Sequence, residues 1–173
     1  SAFALTTPLV LDACSGQRIW HNDPIQPVKG LTAGGTIISI DKNYQNSPTI
    51  AADVTKLPFA DATFDQVICD PPHLIRGDWL GHFNKTYLRY GRWVNRTEWE
   101  VFCDKASREF ARVAKSRAWL LLKIIDGPDR RVTKRADLER FAHYWSLCWV
   151  DETPSKLQWS RCTTLYAHFR RRL

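Results

Sequence analysis

The chain has 173 residues, of which 44% are apolar and 25% are charged, and its net charge is +7. This length suits one domain with a sizeable core, which is predicted to span residues 1–173. No apolar run reaches the roughly 18 residues that a membrane helix needs, and the first residues carry no signal-peptide pattern. The five cysteines are scattered and form no CxxC pair. We therefore expect neither disulfides nor a metal site, and a cytoplasmic or other reducing compartment.

The charges are distributed unevenly along the chain. Residues 1–72 hold 4 basic and 7 acidic side chains, whereas residues 73–173 hold 21 and 11. A basic half suits a polyanionic partner such as nucleic acid. It suits a soluble surface with an excess of Lys and Arg just as well, so charge alone leaves both interpretations open.

Four short apolar runs in the first half are predicted to be strands that are buried on both faces. They are rich in β-branched residues, as parallel strands covered on both sides are. The runs are PLVLDA (8–13), TIISID (36–41), TIAAD (49–53) and FDQVICD (64–70). The acids at their carboxyl ends are Asp12, Asp41, Asp53 and Asp70.

Two helices and three further strands are predicted in the second half. In the first helix, Thr97 and Glu100 form a capping box, and apolar residues follow at helical spacing. Thr133 is predicted to cap the second helix. The last two strands are too close in sequence for a crossover helix, so we expect them to pair antiparallel. The helices are 97–115 and 133–145, and the strands are 118–125, 146–150 and 163–169.

The four strand-ending acids are expected to face one cleft. In an open parallel sheet, ligands bind beyond the carboxyl ends of the strands. Asp41 follows the second strand, where an acid usually binds a pair of ribose hydroxyls. Asp53 follows the third strand and could accept a hydrogen bond from an adenine amino group. Any one of these residues could instead cap a helix or begin a turn, but four in series favour a binding site.

This arrangement resembles class I S-adenosylmethionine-dependent methyltransferases. LVLDACSG corresponds to the family's glycine-rich first motif, although it keeps only Gly16 of the usual glycines. ISID corresponds to the ribose-binding acid, AADVTKLPF to the adenine-contacting segment and FDQVICDPPH to the catalytic motif. DACSG and DPPHLI look like those of small phage and prophage members.

The resemblance implies an α/β fold with a Rossmann-like, seven-stranded, mostly parallel sheet and an antiparallel C-terminal edge hairpin. It also implies S-adenosyl-L-methionine as the cofactor. The cofactor-binding residues would be Asp12, Ala13, Cys14, Gly16, Asp41, Asp53 and Val54.

The DPPH segment, Asp70 to His73, resembles the Asp/Asn/Ser-Pro-Pro-aromatic motif of methyltransferases that act on amino groups of adenine, cytosine or guanine. Such an amine is a poor nucleophile because its lone pair is delocalised into the ring. Asp70 and the carbonyl of Pro71 could accept its two N–H bonds and aim the lone pair at the methyl donor, while Pro72 stiffens the turn. His73 replaces the usual aromatic residue. It could stack on a flipped base, take the proton after transfer, or be a structural histidine.

Two further segments are predicted to contact the substrate. Trp79, Phe83 and Tyr87 follow the catalytic motif in a basic, aromatic stretch, which we interpret as a mobile substrate loop or as a loop docked onto the core. Arg130 and Arg131 follow the fifth strand and suit a phosphate backbone, although a solvated loop is nearly as good an interpretation.

The predicted function is methyl transfer from S-adenosyl-L-methionine to a base amino group of nucleic acid. RNA is favoured over DNA because the fold accounts for the whole chain and leaves no target-recognition domain. A partner protein could supply recognition. One alternative is a small-molecule or protein methyltransferase, which predicts a closed apolar pocket. The other is a non-catalytic subunit that keeps the fold to bind RNA, which predicts no cofactor binding.

Overall fold

The computed structural model describes residues 7–16, 35–75, 91–128, 130–154 and 161–173. In these residues the strands form one seven-stranded sheet with the order β3-β2-β1-β4-β5-β7-β6. Strands β1 to β5 run parallel, and β7 is antiparallel to both β5 and β6. The strands are β1 (Leu9–Ala13), β2 (Thr36–Asp41), β3 (Ile50–Ala51), β4 (Phe64–Cys69), β5 (Ala114–Asp126), β6 (Trp145–Pro154) and β7 (Thr163–Arg171). The predicted sheet, with its antiparallel C-terminal pair, is confirmed.

The central strands bury side chains on both faces of the sheet. In β1, Leu11 belongs to the large core on one face, whereas Val10 packs with Ile68 and Leu121 on the other. This alternation follows from the two-residue period of a strand. It explains why these strands read as continuous apolar runs in the sequence.

Helix α1 (Arg96–Val113) covers the large core and runs directly into β5. The predicted capping box at Thr97 and Glu100 is wrong, because the N-cap residue is Asn95, two positions before Thr97. The side chain of Asn95 accepts a hydrogen bond from the amide of Glu98 at 2.9 Å. The Glu98 carboxylate in turn accepts one from the amide of Val94 at 2.5 Å. The predicted apolar face is buried, and its members are Trp99, Phe102, Cys103, Ala106, Phe110 and Val113.

The predicted helix over 133–145 is also wrong, because the described residues form only a 3₁₀ helix at Arg135–Phe141. Thr133 does not cap it. Instead, the buried Thr133 hydroxyl donates to the carbonyl of Ile125 at 2.6 Å and accepts from the amide of Ile125 at 3.0 Å. These bonds fasten the segment to the end of β5, so a tertiary contact overrides the local helical pattern.

Within the described residues, no helix is both long enough and apolar enough to cross a bilayer.

Candidate active site

The strand ends that carry the predicted acids lie side by side. Ala13, the last residue of β1, is paired with Ile40 of β2 and with Cys69 of β4. Asp41 and Asp70 directly follow these two partners in the chain. The loop after β1 and both acids are therefore brought to one edge of the sheet, where the carboxyl ends of parallel strands form a cleft.

The loop after β1 turns sharply through two left-handed residues. The backbone φ is +63° at Cys14 and +48° at Gly16. A left-handed cysteine costs roughly 1–2 kcal/mol, because its Cβ approaches the backbone, whereas glycine adopts this conformation freely. Between them, the Ser15 side chain is buried, and its Oγ has no hydrogen-bond partner in the described residues. The loop therefore presents a buried hydroxyl that a bound ligand could satisfy.

Asp41 ties the first two loops of the cleft together. One carboxylate oxygen accepts from the amide of Asn43 at 2.7 Å. The other accepts from the amide of Gly16 at 2.9 Å and from the side-chain amide of Asn46 at 3.1 Å. A carboxylate offers about four lone-pair positions, so about one is left for a ligand. The predicted bidentate contact with two ribose hydroxyls would require one of these bonds to be given up.

The Asp53 side chain stabilises a turn, as the sequence analysis allowed for any one of the four acids. Its carboxylate accepts from the amide and hydroxyl of Thr55 at 2.9 and 2.8 Å and pairs with Lys42 at 2.8 Å. Burial raises the pKa of the Asp53 carboxyl, but the bonds from Lys42 and Thr55 outweigh it and hold the pKa below its ordinary value. A contact between Asp53 and adenine remains a prediction.

The other predicted cofactor-binding side chains are buried in or beside the sheet. Asp12 lies within β1 and is fully buried. Ala13 and Val54 belong to the large core on the α1 side. The side chains of Ala13 and Val54 thus support the site from behind, and any contact of theirs with a cofactor would be through backbone atoms.

Asp70 lies immediately beyond β4, and the partners of its carboxylate include Lys123 and His73. One oxygen is 2.8 Å from Nζ of Lys123, and the other is 3.0 Å from Nε2 of His73. Burial alone would raise the pKa of the Asp70 carboxyl. The hydrogen bond from His73 and the charge of Lys123 outweigh that effect and hold the pKa below its ordinary value. Asp70 is therefore an ionised hydrogen-bond acceptor at neutral pH.

The second of the two prolines after Asp70 is held in place by a tryptophan. Nε1 of Trp93 donates to the carbonyl of Pro72 at 2.7 Å. Gly91 lies against Pro72, where an added Cβ would come within 3.0 Å of the proline ring, and its φ of +73° also favours glycine. The carbonyl of Pro71 accepts no hydrogen bond from the described residues. One carbonyl is thus used to fix the turn, and the other is left for a ligand.

His73 presents one nitrogen to Asp70 and buries the other. Its Nδ1 has no hydrogen-bond partner in the described part of the chain. A neutral His73 that donates from Nε2 to the Asp70 carboxylate carries its lone pair on Nδ1. The Asp70–His73 pair therefore leaves Nδ1 as an unused proton acceptor.

The structure brings one of the two predicted substrate segments to the cleft. Segment 73–75 pairs with segment 131–133: the amide of Ile75 donates to the carbonyl of Arg131 at 2.7 Å, and the amide of Thr133 donates to that of His73 at 3.1 Å. Arg130 and Arg131 are exposed beside this pairing. Trp79, Phe83 and Tyr87 lie outside the described residues.

The sequence interpretation missed two residues of this site. Lys123 is the one charged residue in AWLLLKII (118–125), and a lone cation in an otherwise buried strand was a usable signal. Trp93 carried no such signal, because its bond to Pro72 joins residues 21 positions apart in the chain.

Sequence comparisons find no relatives: no protein-family model matches the chain, and no curated protein matches it.

Structural comparisons find several similar folds. The N-methyltransferase NodS from Bradyrhizobium japonicum WM9, solved with S-adenosyl-L-homocysteine, has a TM-score of 0.63 and 10% identity over 96% of this chain and 79% of its own. The 1,6-didemethyltoxoflavin-N1-methyltransferase of Burkholderia thailandensis has a TM-score of 0.55 and 15% identity over 95% and 71%. The [4+2]-cyclase SpnF has a TM-score of 0.62 and 12% identity over 96% and 76%.

The chain thus has the Rossmann-like fold of class I S-adenosylmethionine-dependent methyltransferases. At these identities the likeness concerns the fold, and the presence of a cyclase among similar structures shows that the fold does not determine the reaction.

Proposed function

We propose that this protein is an S-adenosylmethionine-dependent methyltransferase that acts on a base amino group in nucleic acid. The observation that carries the proposal is the pair of acceptors at the end of β4, the ionised carboxylate of Asp70 and the carbonyl of Pro71, which accepts no hydrogen bond from the described residues. Two adjacent acceptors are what an amine with two N–H bonds requires if its lone pair is to be aimed at a methyl donor.

The loop after β1 fits the cofactor. S-adenosylmethionine, when bound, supplies an electrophilic methyl group. The left-handed residues Cys14 and Gly16 let a ligand approach the backbone closely, and the buried Ser15 hydroxyl lacks a partner within the described residues. Asp41 retains acceptor capacity for a ribose hydroxyl beside them. These residues would hold the cofactor, with Asp53 shaping the neighbouring turn.

The residues around Asp70 have separate tasks in this proposal. The hydrogen bond from His73 and the charge of Lys123 keep Asp70 ionised, so Asp70 accepts a hydrogen bond from the amine and does not remove its proton. The amine is neutral when it attacks and becomes acidic once it is methylated. The proton that it then loses would pass to water, or to Nδ1 of His73 if substrate binding uncovers that buried atom.

A polyanionic substrate is supported by charge and by position. Residues 73–173 have a net charge of +10, from 21 basic and 11 acidic side chains. They include Arg130 and Arg131, which lie exposed beside the segment that follows His73. Phosphate contacts at these positions would orient a strand whose base enters the cleft. RNA, or a protein partner that supplies target recognition, fits better than unaided sequence reading of duplex DNA.

A small-molecule amine is a second candidate. The similarity to the Burkholderia enzyme favours it, because that protein's name gives 1,6-didemethyltoxoflavin as its substrate. The same Asp70–Pro71 acceptors would serve a ring-attached amine of either origin. Salt dependence separates the two candidates, since only a polyanion binds through displaced counterions.

The decisive experiment uses cofactor carrying a radiolabelled methyl group. The protein is incubated separately with RNA, DNA, protein and small-molecule fractions, and the labelled nucleoside or residue is identified. We expect a base-methylated nucleoside from RNA. Asp70→Ala should abolish labelling, and Asp104→Ala, an exposed carboxylate on α1, is the matched control. Label in the small-molecule fraction alone would contradict a nucleic-acid substrate and support the second candidate, a small-molecule amine.

A salt titration sharpens the result. Binding of RNA should weaken steeply between 50 and 200 mM salt, and changing Arg130 and Arg131 to Glu should flatten that slope without altering cofactor affinity. Absence of cofactor binding by calorimetry would instead favour the non-catalytic subunit.

A further inference from the structure

Four side chains on β5, β7 and β6 form a continuous stack that the proposed active site does not use. The rings of Trp149 and His168 are stacked, with centroids 4.3 Å apart and planes 16° from parallel. Trp119 meets the edge of Trp149 at 5.4 Å. The guanidinium of Arg170 lies 4.5 Å from the centre of the Trp119 ring. We refer to Trp119, Trp149, His168 and Arg170 as the aromatic platform.

The platform is rigidly built. Its members come from neighbouring strands and are cross-strand partners: Trp149 pairs with His168, and Arg170 pairs with Trp119. His168 is almost fully buried, and its Nε2 is 2.9 Å from the Asp151 carboxylate. Asp151 also accepts from Nε1 of Trp149 at 3.3 Å. The Asp151 carboxylate therefore orients both rings of the stack.

The stack is nevertheless open on one side. Trp149 is 47% exposed, whereas Trp99 and Trp145 are fully buried in the core. A large exposed ring whose orientation is fixed offers a flat face to a ligand without further loss of side-chain freedom.

The surroundings of the platform are cationic. Arg117 and Arg172 are exposed, two residues beyond Trp119 and Arg170 at the end of the platform where these two residues pair, and Arg170 forms part of it. Within the described residues, none of these three guanidinium groups has a carboxylate partner. The acid nearest the stack, Asp151, is already engaged by His168 and Trp149. A flat aromatic face bordered by unpaired arginines complements a ligand that is aromatic and anionic.

We propose that the aromatic platform binds single-stranded nucleic acid, with a base stacked on Trp149 and phosphates near Arg117, Arg170 and Arg172. Unpaired bases have an exposed π-face that such a platform can receive, whereas bases in a duplex already stack on each other. Edge pairing with a second copy of the chain is less favoured, because β6 contains an irregularity between Leu147 and Trp149 that disrupts the edge.

The platform is separate from the Asp70 site but lies on the same face of the sheet. Trp119 precedes Lys123 by four residues on β5, which is about 13 Å along a strand. A strand that rests on the platform could thus reach towards the cleft over a few nucleotides. Binding at the platform does not depend on catalysis, so the inference can be tested independently of the proposed function.

The test measures fluorescence anisotropy of fluorescein-labelled U20 and dT20, and of a 20-base-pair duplex, with the full chain and its variants. Trp149→Ala should weaken single-strand binding about tenfold or more, and Trp149→Phe should remain within about threefold of the unchanged protein. Leu147→Ala is the matched control, because Leu147 is 48% exposed on the same strand but pairs with the core residue Phe169. Thermal unfolding checks that each variant is folded.

Three results would overturn the inference. The first is unchanged binding by folded Trp149→Ala, and the second is tighter binding of the duplex than of single strands. The third is a concentration-dependent dimer, seen by sedimentation, that Trp149→Ala dissociates, since the platform would then bind a second copy. Single-strand binding through Trp149 without methyl transfer would support the platform and contradict the proposed function. Methyl transfer to RNA with no role for Trp149 would do the reverse.

Discussion

The two sides of the cleft hold their acids in different ways. On the β2 side, Asp41 and Asp53 are bound mostly by their own loops, through Asn43, Asn46 and Thr55. On the β4 side, Asp70 is held by Lys123, which lies 53 residues further along the chain. Asn43 and Thr55 donate backbone amides to Asp41 and Asp53, whereas the partly buried ammonium of Lys123 pairs with Asp70.

This difference indicates what each side can do. Hydrogen bonds from backbone amides hold a carboxylate oxygen in a fixed position. This suits a group that binds a ligand without taking part in the reaction. The hydrogen bond from His73 and the ammonium of Lys123 at 2.8 Å hold the pKa of Asp70 below its ordinary value, so the carboxylate stays charged while a substrate amine arrives and reacts. We therefore expect changes at Asp41 to affect binding and changes at Asp70 to affect turnover.

The largest effect is expected for Asp70→Ala. Removing the acceptor should lower kcat by two or more orders of magnitude, about 3 kcal/mol or more of transition-state stabilisation. Affinity for S-adenosyl-L-homocysteine, measured by calorimetry, should change little, because the carboxylate acts on the amine.

Asp70→Asn should retain more activity than Asp70→Ala, since an amide oxygen still accepts an N–H bond. The amide leaves the Lys123 charge without its partner carboxylate, so the double variant Asp70→Asn/Lys123→Met is the control that removes this cost. Full activity in Asp70→Ala would contradict the proposed mechanism.

Asp41→Ala should weaken cofactor binding by about 2–3 kcal/mol, because it removes a charged acceptor and releases the amide of Gly16. Calorimetry with S-adenosyl-L-homocysteine measures this directly. At saturating cofactor, kcat should remain close to that of the unchanged protein. A lower kcat with unchanged cofactor affinity would contradict the expectation that Asp41 acts in binding and Asp70 in turnover.

Lys123→Met should lower the free energy of unfolding by about 1–3 kcal/mol at pH 7, because it removes the ammonium that pairs with the partly buried Asp70 carboxylate. The native pKa of Asp70 lies below its ordinary value of 3.8. The stability from the pair is therefore present above pH 3.8 and is lost as the pH falls through the native pKa. Denaturant unfolding at pH 7 and pH 3 should show the difference between the two proteins shrinking in acid. A constant difference would exclude the ion pair as its cause.

The smallest effect is expected for Trp93→Phe, which keeps the ring that packs on Trp99 and Phe102 but removes the bond to Pro72. We expect a loss of about 1 kcal/mol in stability and a smaller loss of kcat than for Asp70→Ala. Chemical denaturation and initial rates measure the two quantities. Equal kcat losses for the two variants would mean that the position of the turn matters as much as its acceptors.

Much of the fold could be predicted from the sequence, because strands buried on both faces leave a continuous apolar signal. The runs that end at Asp41 and Asp70 lie within a residue of the observed strands. The helical pattern over 133–145 failed because Thr133 bonds to Ile125 and Trp145 begins β6. The spacing of apolar residues shows which side chains are buried. It does not distinguish a helix from another local structure that buries the same side chains through tertiary contacts.

What the sequence by itself determined is the set of strands, their order of appearance and the acids at their carboxyl ends, since these depend on local composition and spacing. Only the tertiary structure decided which partners those acids have. Lys123 reaches Asp70 because β4 and β5 are neighbours in the sheet, and Trp149 stacks on His168 because β6 pairs with β7. Contacts between residues far apart in the chain are set by strand pairing, which local sequence patterns do not encode.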